Sequence, residues 1–173
     1  MCIRDSLYLG SDVVGLVTPV YGMLMTGLLK DFMDRLLPLA TPHIHRNEDG
    51  SFFHEGRVKR FPRQFLITNS GFPGDHNFDL LRAWAKYMNP VLAIYRNSGE
   101  LLSTEEMLDP QVLSRIEAFY SALRQAGEEL VTKGTVSAET VDRLHLPLIS
   151  DEAYMAGANA FWDEEIDKAT PGT

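Results

Sequence analysis

The stretch Asp12-Val-Val-Gly-Leu-Val-Thr-Pro-Val-Tyr-Gly-Met-Leu-Met-Thr-Gly-Leu-Leu-Lys-Asp-Phe-Met-Asp-Arg-Leu-Leu37 decides how the chain is read. Val13 to Val17 is a short, compact and partly β-branched apolar run bounded by turn residues. Such a run reads as a buried strand of a parallel sheet, not as a surface helix. Pro19 has no amide to give to a ladder, so the strand stops there. From Leu24 the period changes. Leu28, Leu29, Phe32, Met33, Leu36 and Leu37 recur at helical spacing, while Lys30, Asp31, Asp34 and Arg35 take the other face. Lys30 with Asp34, and Asp31 with Arg35, stand at i,i+4 and contribute about 0.2–0.5 kcal/mol each. Pro38 ends the helix. The loop Thr18-Pro19-Val20-Tyr21-Gly22 thus sits at the carboxyl end of a parallel strand, where open α/β sheets bind their ligands.

The same unit recurs. Gln64 to Thr68 is a second buried strand running into Asn69-Ser70-Gly71-Phe72-Pro73-Gly74-Asp75, whose glycines and small polar residues supply unusual dihedrals and free backbone amides. Asp75 is predicted to cap a helix with Phe78, Leu81, Trp84, Ala85 and Met88 on its apolar face. Pro90 opens a third strand, Val91 to Tyr95, followed by Arg96-Asn97-Ser98-Gly99. Three strand–loop–helix units imply right-handed crossovers and a parallel sheet, with their loops gathered at one edge.

Ser103 with Glu106 is a candidate capping box. Asp109-Pro110 is a better-defined start, N-cap then proline at N1. That helix runs through Val112, Ile116, Phe119, Leu123 and Leu130 to Gly134, roughly 35 Å at 1.5 Å per residue. Two shorter helices follow, Ala138 to Arg143 and Asp151 to Ile166. The second carries Tyr154, Met155, Ala158, Phe161 and Trp162, and reads as a dimer element, a lid, or a helix packed on its own domain. Lys168 to Thr173 is predicted to be disordered.

Leu39 to Pro62 is a polar connection much longer than the usual αβ loop. Asp49-Gly50 marks a turn, and Ile44 to Phe53 around it is predicted to form a small hairpin. His43, His45 and His54 read as loop histidines: no acidic or cysteine residue at ligand spacing completes a metal site. A loop covering a ligand or a partner subunit is the better reading. Arg57, Lys59, Arg60 and Arg63 make a small solvated patch.

A chain of 173 residues, 45% hydrophobic, suits one folding unit with a sizeable core. A formal charge of −8 argues against nucleic acid or an anionic membrane surface as partner. Cys2 is the only cysteine, which rules out an internal disulfide and a four-cysteine iron–sulfur or zinc site. No apolar run approaches the roughly 20 residues that span a bilayer, and no signal-peptide core is present, so the sequence reads as cytoplasmic.

The Thr18-Pro19-Val20-Tyr21-Gly22 turn, followed by Leu29-Lys30, Phe32 and Asp34-Arg35, resembles the middle of the flavodoxin-like NAD(P)H-dependent FMN reductase family. There a Ser/Thr-Pro-x-Tyr turn along the flavin ring leads into a Leu-Lys-x-Phe-x-Asp-Arg helix. The resemblance implies an α/β, flavodoxin-like three-layer sandwich with a parallel sheet, lacking its first strands and phosphate loop. On that reading residues 1–11 are a leader or remnant, 12–134 the core and 135–173 a helical extension.

The resemblance further implies FMN as cofactor and NAD(P)H as co-substrate, with a quinone, nitroaromatic or free flavin as acceptor. Thr18, Pro19, Val20, Tyr21 and Gly22 would line the ring, with the amides of Val20 to Gly22 toward its N5/O4 edge. Asn69, Ser70 and Gly71 would meet its pyrimidine edge. Tyr21 is either a ring neighbour or an ordinary strand-end tyrosine, and Phe72 packs on the ring or on protein. No catalytic residue and no metal ligand is expected. Family members are dimers or tetramers, so a homo-oligomer is implied. The competing readings are a non-enzymatic flavodoxin-type electron carrier, with Phe72 and Tyr95 as candidate ring neighbours, and a cofactor-free fragment of the fold.

Overall fold

Alternation along three strands sorts the chain into layers. The computed structural model describes residues 3–103 and 109–169. In chain order the elements are α1 (Ile3–Leu9), β1 (Val13–Pro19), α2 (Gly27–Asp34), β2 (Ala40–Arg46), β3 (Phe52–Gly56), β4 (Arg63–Asn69), α3 (Asp79–Met88), β5 (Leu92–Arg96), α4 (Pro110–Lys133), α5 (Ala138–Leu144) and α6 (Asp151–Ala169). Strands β1, β4 and β5 form a parallel three-stranded sheet in that order, with Thr18 beside Thr68 and Thr68 beside Tyr95. The period of two sends Val14, Leu16, Leu66, Ala93 and Tyr95 to one face, against Leu29, Phe32, Met33, Trp84, Ala85 and Met88 of α2 and α3. Phe65, Ile67, Leu92 and Ile94 go to the other, against Val112, Ile116 and Phe119 of α4. The architecture is α/β, a parallel sheet with helices on both faces, as the repeated strand–loop–helix pattern predicts.

β1 is an edge strand. On the α4 side its Val17 is 65% exposed, and Phe65 lies over Gly15 so closely that a Cβ there would stand 2.4 Å from the ring. Among the described residues no helix is long and apolar enough to cross a membrane.

Several local expectations shift. The helix after β1 begins at Gly27 instead of Leu24, because Thr26 takes the N-cap and its hydroxyl accepts from the Leu29 amide at 3.4 Å. It ends at Asp34, and Pro38 closes a separate 3-10 turn, Leu37–Leu39. Lys30 pairs with Asp34 at 2.6 Å, whereas Asp31 and Arg35 meet only through the backbone, 3.2 Å from the Arg35 amide to the Asp31 carbonyl. Asp75 makes no cap: its carboxylate accepts from Arg82 at 3.2 Å and from Asn97 at 3.1 Å, and a 3-10 turn, His76–Phe78, leads into α3. The stretch Met1–Ser6, which shows no periodicity, is helical from Ile3 onward, and α1 buries Tyr8, whose hydroxyl accepts from Gln64 at 2.5 Å. Lys168 is still helical and pairs with Glu164 at 2.8 Å. Glu106 of the candidate capping box lies outside the described residues.

The long connection holds an antiparallel hairpin, β2 with β3, larger than the turn signal alone marks. Gly50 at φ +86° and Asp49, whose Oδ1 accepts from the Ser51 amide at 2.9 Å, shape its tip. The neighbouring cations go to separate partners: Arg57 to the Ala40 carbonyl (2.8 Å), Arg60 to Asp12 (3.2 Å) and Arg63 to the Gly134 carbonyl (3.0 Å).

Asp109 and Gly134 bound α4 as expected, the first accepting from the Gln111 amide at 2.7 Å, the second at φ +78°. Near its end Glu129 ties α4 to α5. Its carboxylate accepts from the Ser137 amide at 2.8 Å, the Ser137 hydroxyl at 3.2 Å and Lys133 at 3.3 Å. The Ser137 backbone bond, more than any other cause, holds its pKa down at about 2 against an ordinary 4.5. A depressed carboxylate adds stability that is present above its ordinary value and lost as pH falls through the folded one. Between pH about 4.5 and about 2, the denaturant midpoint of Glu129→Gln is therefore expected to fall less steeply than that of the parent chain. Equal slopes would show that the clamp contributes nothing.

Candidate functional site

The loops after β1, β4 and β5 converge at the carboxyl edge of the sheet. Thr18, at the end of β1, is fully buried, and its hydroxyl accepts from the Thr26 amide at 3.0 Å, folding the loop back on itself. Tyr21 and Leu24 then exchange backbone bonds of 2.9 and 3.1 Å. The two residues between them, Gly22 and Met23, have φ of +56° and +67°, the signature of a type I′ turn. Glycine meets that conformation freely, while Met23 is held in it by the reciprocal bonds.

The loop after β4 is anchored by its carbonyls. Asn69 O accepts from Val20 N at 2.8 Å, Ser70 O from Gly99 N at 3.0 Å and Phe72 O from Ser98 N at 3.2 Å. Between them Gly71 O accepts from the Tyr154 hydroxyl of α6 at 2.5 Å. Four successive carbonyls are thus bonded to four different places in the chain. Ser70 also donates its amide to Arg96 O at 2.9 Å and accepts the Phe72 amide on its hydroxyl at 3.1 Å. Asn77, buried, props the far side by donating to Pro73 O at 3.0 Å and Gly74 O at 3.3 Å.

The residues singled out in the sequence therefore meet here, though in unequal roles. Val20, Gly22, Ser70 and Gly71 border one cleft of about 340 Å³, together with Met23, Phe72 and Asn77. Thr18 and Ser70 act as buried supports. Pro19 is half-buried at the strand end, and Tyr21 is 69% exposed. Asn69 lends its carbonyl, while its side chain packs where a Cβ on Gly99 would stand, 2.9 Å away. The amides of Val20 and Tyr21, expected to face a ligand, are instead bonded to Asn69 O and Leu24 O. Those of Gly22, Met23 and Gly71 make no hydrogen bond, and a Cβ on Gly22 or Gly71 would meet nothing within 4 Å.

Cations at this edge are occupied elsewhere. Arg96, buried at the end of β5, donates to the carbonyls of Leu144 and of Leu146 (3.0 Å) and lies 4.7 Å over the Phe119 ring. Burial pushes its pKa down. Arg82 lies 4.9 Å over Tyr95, which also packs 5.6 Å from Phe78; Tyr95 is thereby outside the cleft. Among the described residues no Lys or Arg lines the cleft. Tyr154 and Glu100, unmarked in the sequence, are bonded to each other, and burial first, then the Glu100 carboxylate, push the tyrosine's pKa up. A second hollow, about 710 Å³, lies beneath the hairpin at the far end of α2 and shares none of these loop residues.

Among the described residues no group of three or more His, Cys, Asp or Glu is placed to hold a metal ion. His54 is bonded through Nδ1 to the His43 carbonyl at 3.1 Å, and His45 packs 5.5 Å from Phe53. What the strand ends offer a ligand is unbonded amides; among the described residues no nucleophile and base are brought together there.

Two threonines side by side test how the loop is held. The Thr68 hydroxyl is buried without a partner, whereas that of Thr18 holds the Thr26 amide. Thr18→Val is expected to cost about 1–3 kcal/mol in chemical denaturation, while Thr68→Val is neutral or stabilising. Equal effects from the two would mean that the Thr18–Thr26 bond does not hold the loop. Compared with known proteins, the chain matches no family model, no curated protein and no solved structure.

Proposed function

We propose that this chain is an FMN-dependent NAD(P)H oxidoreductase of flavodoxin-like fold that passes reducing equivalents to a quinone or a similar small acceptor. The observation that carries this reading is the cleft between the Gly22–Met23 turn and the Ser70–Phe72 loop. It pairs unbonded amides on both walls with two glycines whose Cβ directions are open. That donor set fits the polar edge of a flat heterocycle, which accepts hydrogen bonds and needs close backbone approach.

The fit covers the ring and not its phosphate. Among the described residues no Lys or Arg lines the cleft, and Arg96 is committed to α5. FMN, when bound, would take a hydride from NAD(P)H and release two electrons and a proton's worth of reduction to the acceptor. Overall, NAD(P)H, a proton and a quinone give NAD(P)⁺ and the hydroquinone. The chain's own contribution is positional: the Gly22, Met23 and Gly71 amides hold the ring edge, and the carbonyl-anchored loop keeps Gly71 in place. No side chain is called on as general base, in keeping with the lack of a nucleophile–base pair. The acidic character of the chain, −8 in all, leaves long-range attraction of a dinucleotide weak.

Riboflavin and FMN are expected to bind with dissociation constants within about threefold of one another, because no charge-assisted bond reaches the phosphate. Gly71→Val is expected to weaken both by about tenfold or more while leaving the unfolding midpoint unchanged. Flavin fluorescence quenching measures the affinities, and NAD(P)H oxidation with added FMN and a naphthoquinone measures the turnover. Absence of flavin binding would sink the reading. Binding without turnover unless a separate reductase is added would make the protein a carrier.

A further inference from the structure

Beside the proposed ring cleft lies a second compartment. It has a volume of about 660 Å³ and shares Met23, Gly71, Phe72 and Asn77 with the first. Its outer wall is α6, through Tyr154, Met155, Ala158 and Trp162. The size falls within the usual range for small-molecule sites. Its surfaces are aromatic and thioether: Phe72 is 68% exposed, Trp162 61% and Met155 52%, all three bordering the same space. Such surfaces take flat apolar rings by stacking and sulfur–aromatic contact.

Charge narrows the class. Glu100 and His76 are on the lining and, among the described residues, no Lys or Arg is, while Asp151 stands just outside, accepting from the Gly74 amide at 3.1 Å. A phosphate, diphosphate or sulfonate would enter this space beside carboxylates, with the imidazole of His76 as its nearest basic group and no guanidinium or ammonium to offset its desolvation.

The wall is also only lightly fastened. Of the 19 residues of α6, only Tyr154 is buried, so the helix rests on one side chain and its first turn. Met155, Ala158 and Trp162 border the compartment, while Phe161 borders a neighbouring hollow of about 390 Å³ with Leu101 and Ile149.

We propose that the compartment between the β4–α3 loop and α6 binds uncharged planar aromatic molecules and rejects anionic ones. Its standing as the acceptor site rests on the flavin reading above; its binding selectivity does not. The test uses the full chain freed of flavin, and follows the fluorescence of Trp162 and Trp84, the two tryptophans. A ring-substituted neutral naphthoquinone is titrated against its ring-sulfonated counterpart, each with the parent chain, Ala158→Phe and Trp162→Phe.

The neutral quinone is expected to quench saturably, with the sulfonate at least about tenfold weaker. Trp162→Phe should remove most of the saturable signal, since Trp84 packs in the α2–α3 layer. Ala158→Phe should fill the space and abolish binding while leaving the unfolding midpoint unchanged. Equal affinity for both quinones, or saturable quenching that survives in Ala158→Phe, overturns the proposal. Quinone binding in a chain that takes no flavin removes the acceptor role and leaves the site; flavin binding without quinone binding removes the site alone.

Discussion

The structure at the carboxyl edge depends on the backbone of Asn69 to Phe72. Each of its four carbonyls accepts from a different residue: Val20 in the loop after β1, Gly99 at the start of the 3-10 turn after β5, Tyr154 of α6, and Ser98 just before that turn. A loop of this composition, with Gly71 and Gly74 flanking Phe72 and Pro73, has little intrinsic preference for one conformation. The four bonds supply that preference from outside. They also shape what remains available to a ligand: with these carbonyls turned into the protein, the unbonded amides of Gly71, Gly22 and Met23 are donors left at the cleft. The site is thus a by-product of how the strand ends are tied together.

Rigid support below and loose cover above follow from the same geometry. Beneath the loops, Thr18, Thr68, Ser70 and Arg96 are buried at the strand ends, and Ile94 and Leu66 fill the sheet behind them. A bound ring would meet backbone that moves little. Above, α6 touches this framework through Tyr154 and the Asp151–Gly74 bond. Few buried apolar contacts and two side-chain joints are the features of a locally weak element. Binding sites gain from such a division, since the floor fixes orientation while the cover adapts to size.

Much of this was legible in the sequence and some was not, for identifiable reasons. Strand positions came from short β-branched runs between turn residues, and β1, β4 and β5 lie within a residue or two of those expectations. The meeting of Thr18–Gly22 with Asn69–Gly71 follows from two parallel neighbours whose loops leave the same edge. Roles within the loops were not legible. Whether the Val20 amide faces a ligand or Asn69 O depends on a tertiary bond that no local pattern encodes. Asp75 illustrates the same limit: its position suits an N-cap, yet Arg82 and Asn97 compete for its carboxylate and win. Met23 carries a left-handed conformation that propensity assigns to glycine or asparagine. Glu100 and Tyr154 are 54 residues apart, and the sequence gives no sign of their contact.

That contact bears on how Tyr154 responds to pH. Burial disfavours the phenolate of Tyr154, and the neighbouring Glu100 carboxylate disfavours it further, so the hydroxyl keeps its proton well beyond the range where a free tyrosine ionises. Its single hydrogen therefore remains available to Gly71 O or to Glu100, the two acceptors within reach, across the neutral and mildly alkaline range. The sign of the effect matters: a raised tyrosine pKa means that deprotonation, not protonation, would break the joint, and physiological pH does not reach it. The other joint between α6 and the loop, the Gly74 amide donating to Asp151 at 3.1 Å, does not depend on that proton, so ionising Tyr154 alone would leave α6 tied at its first turn.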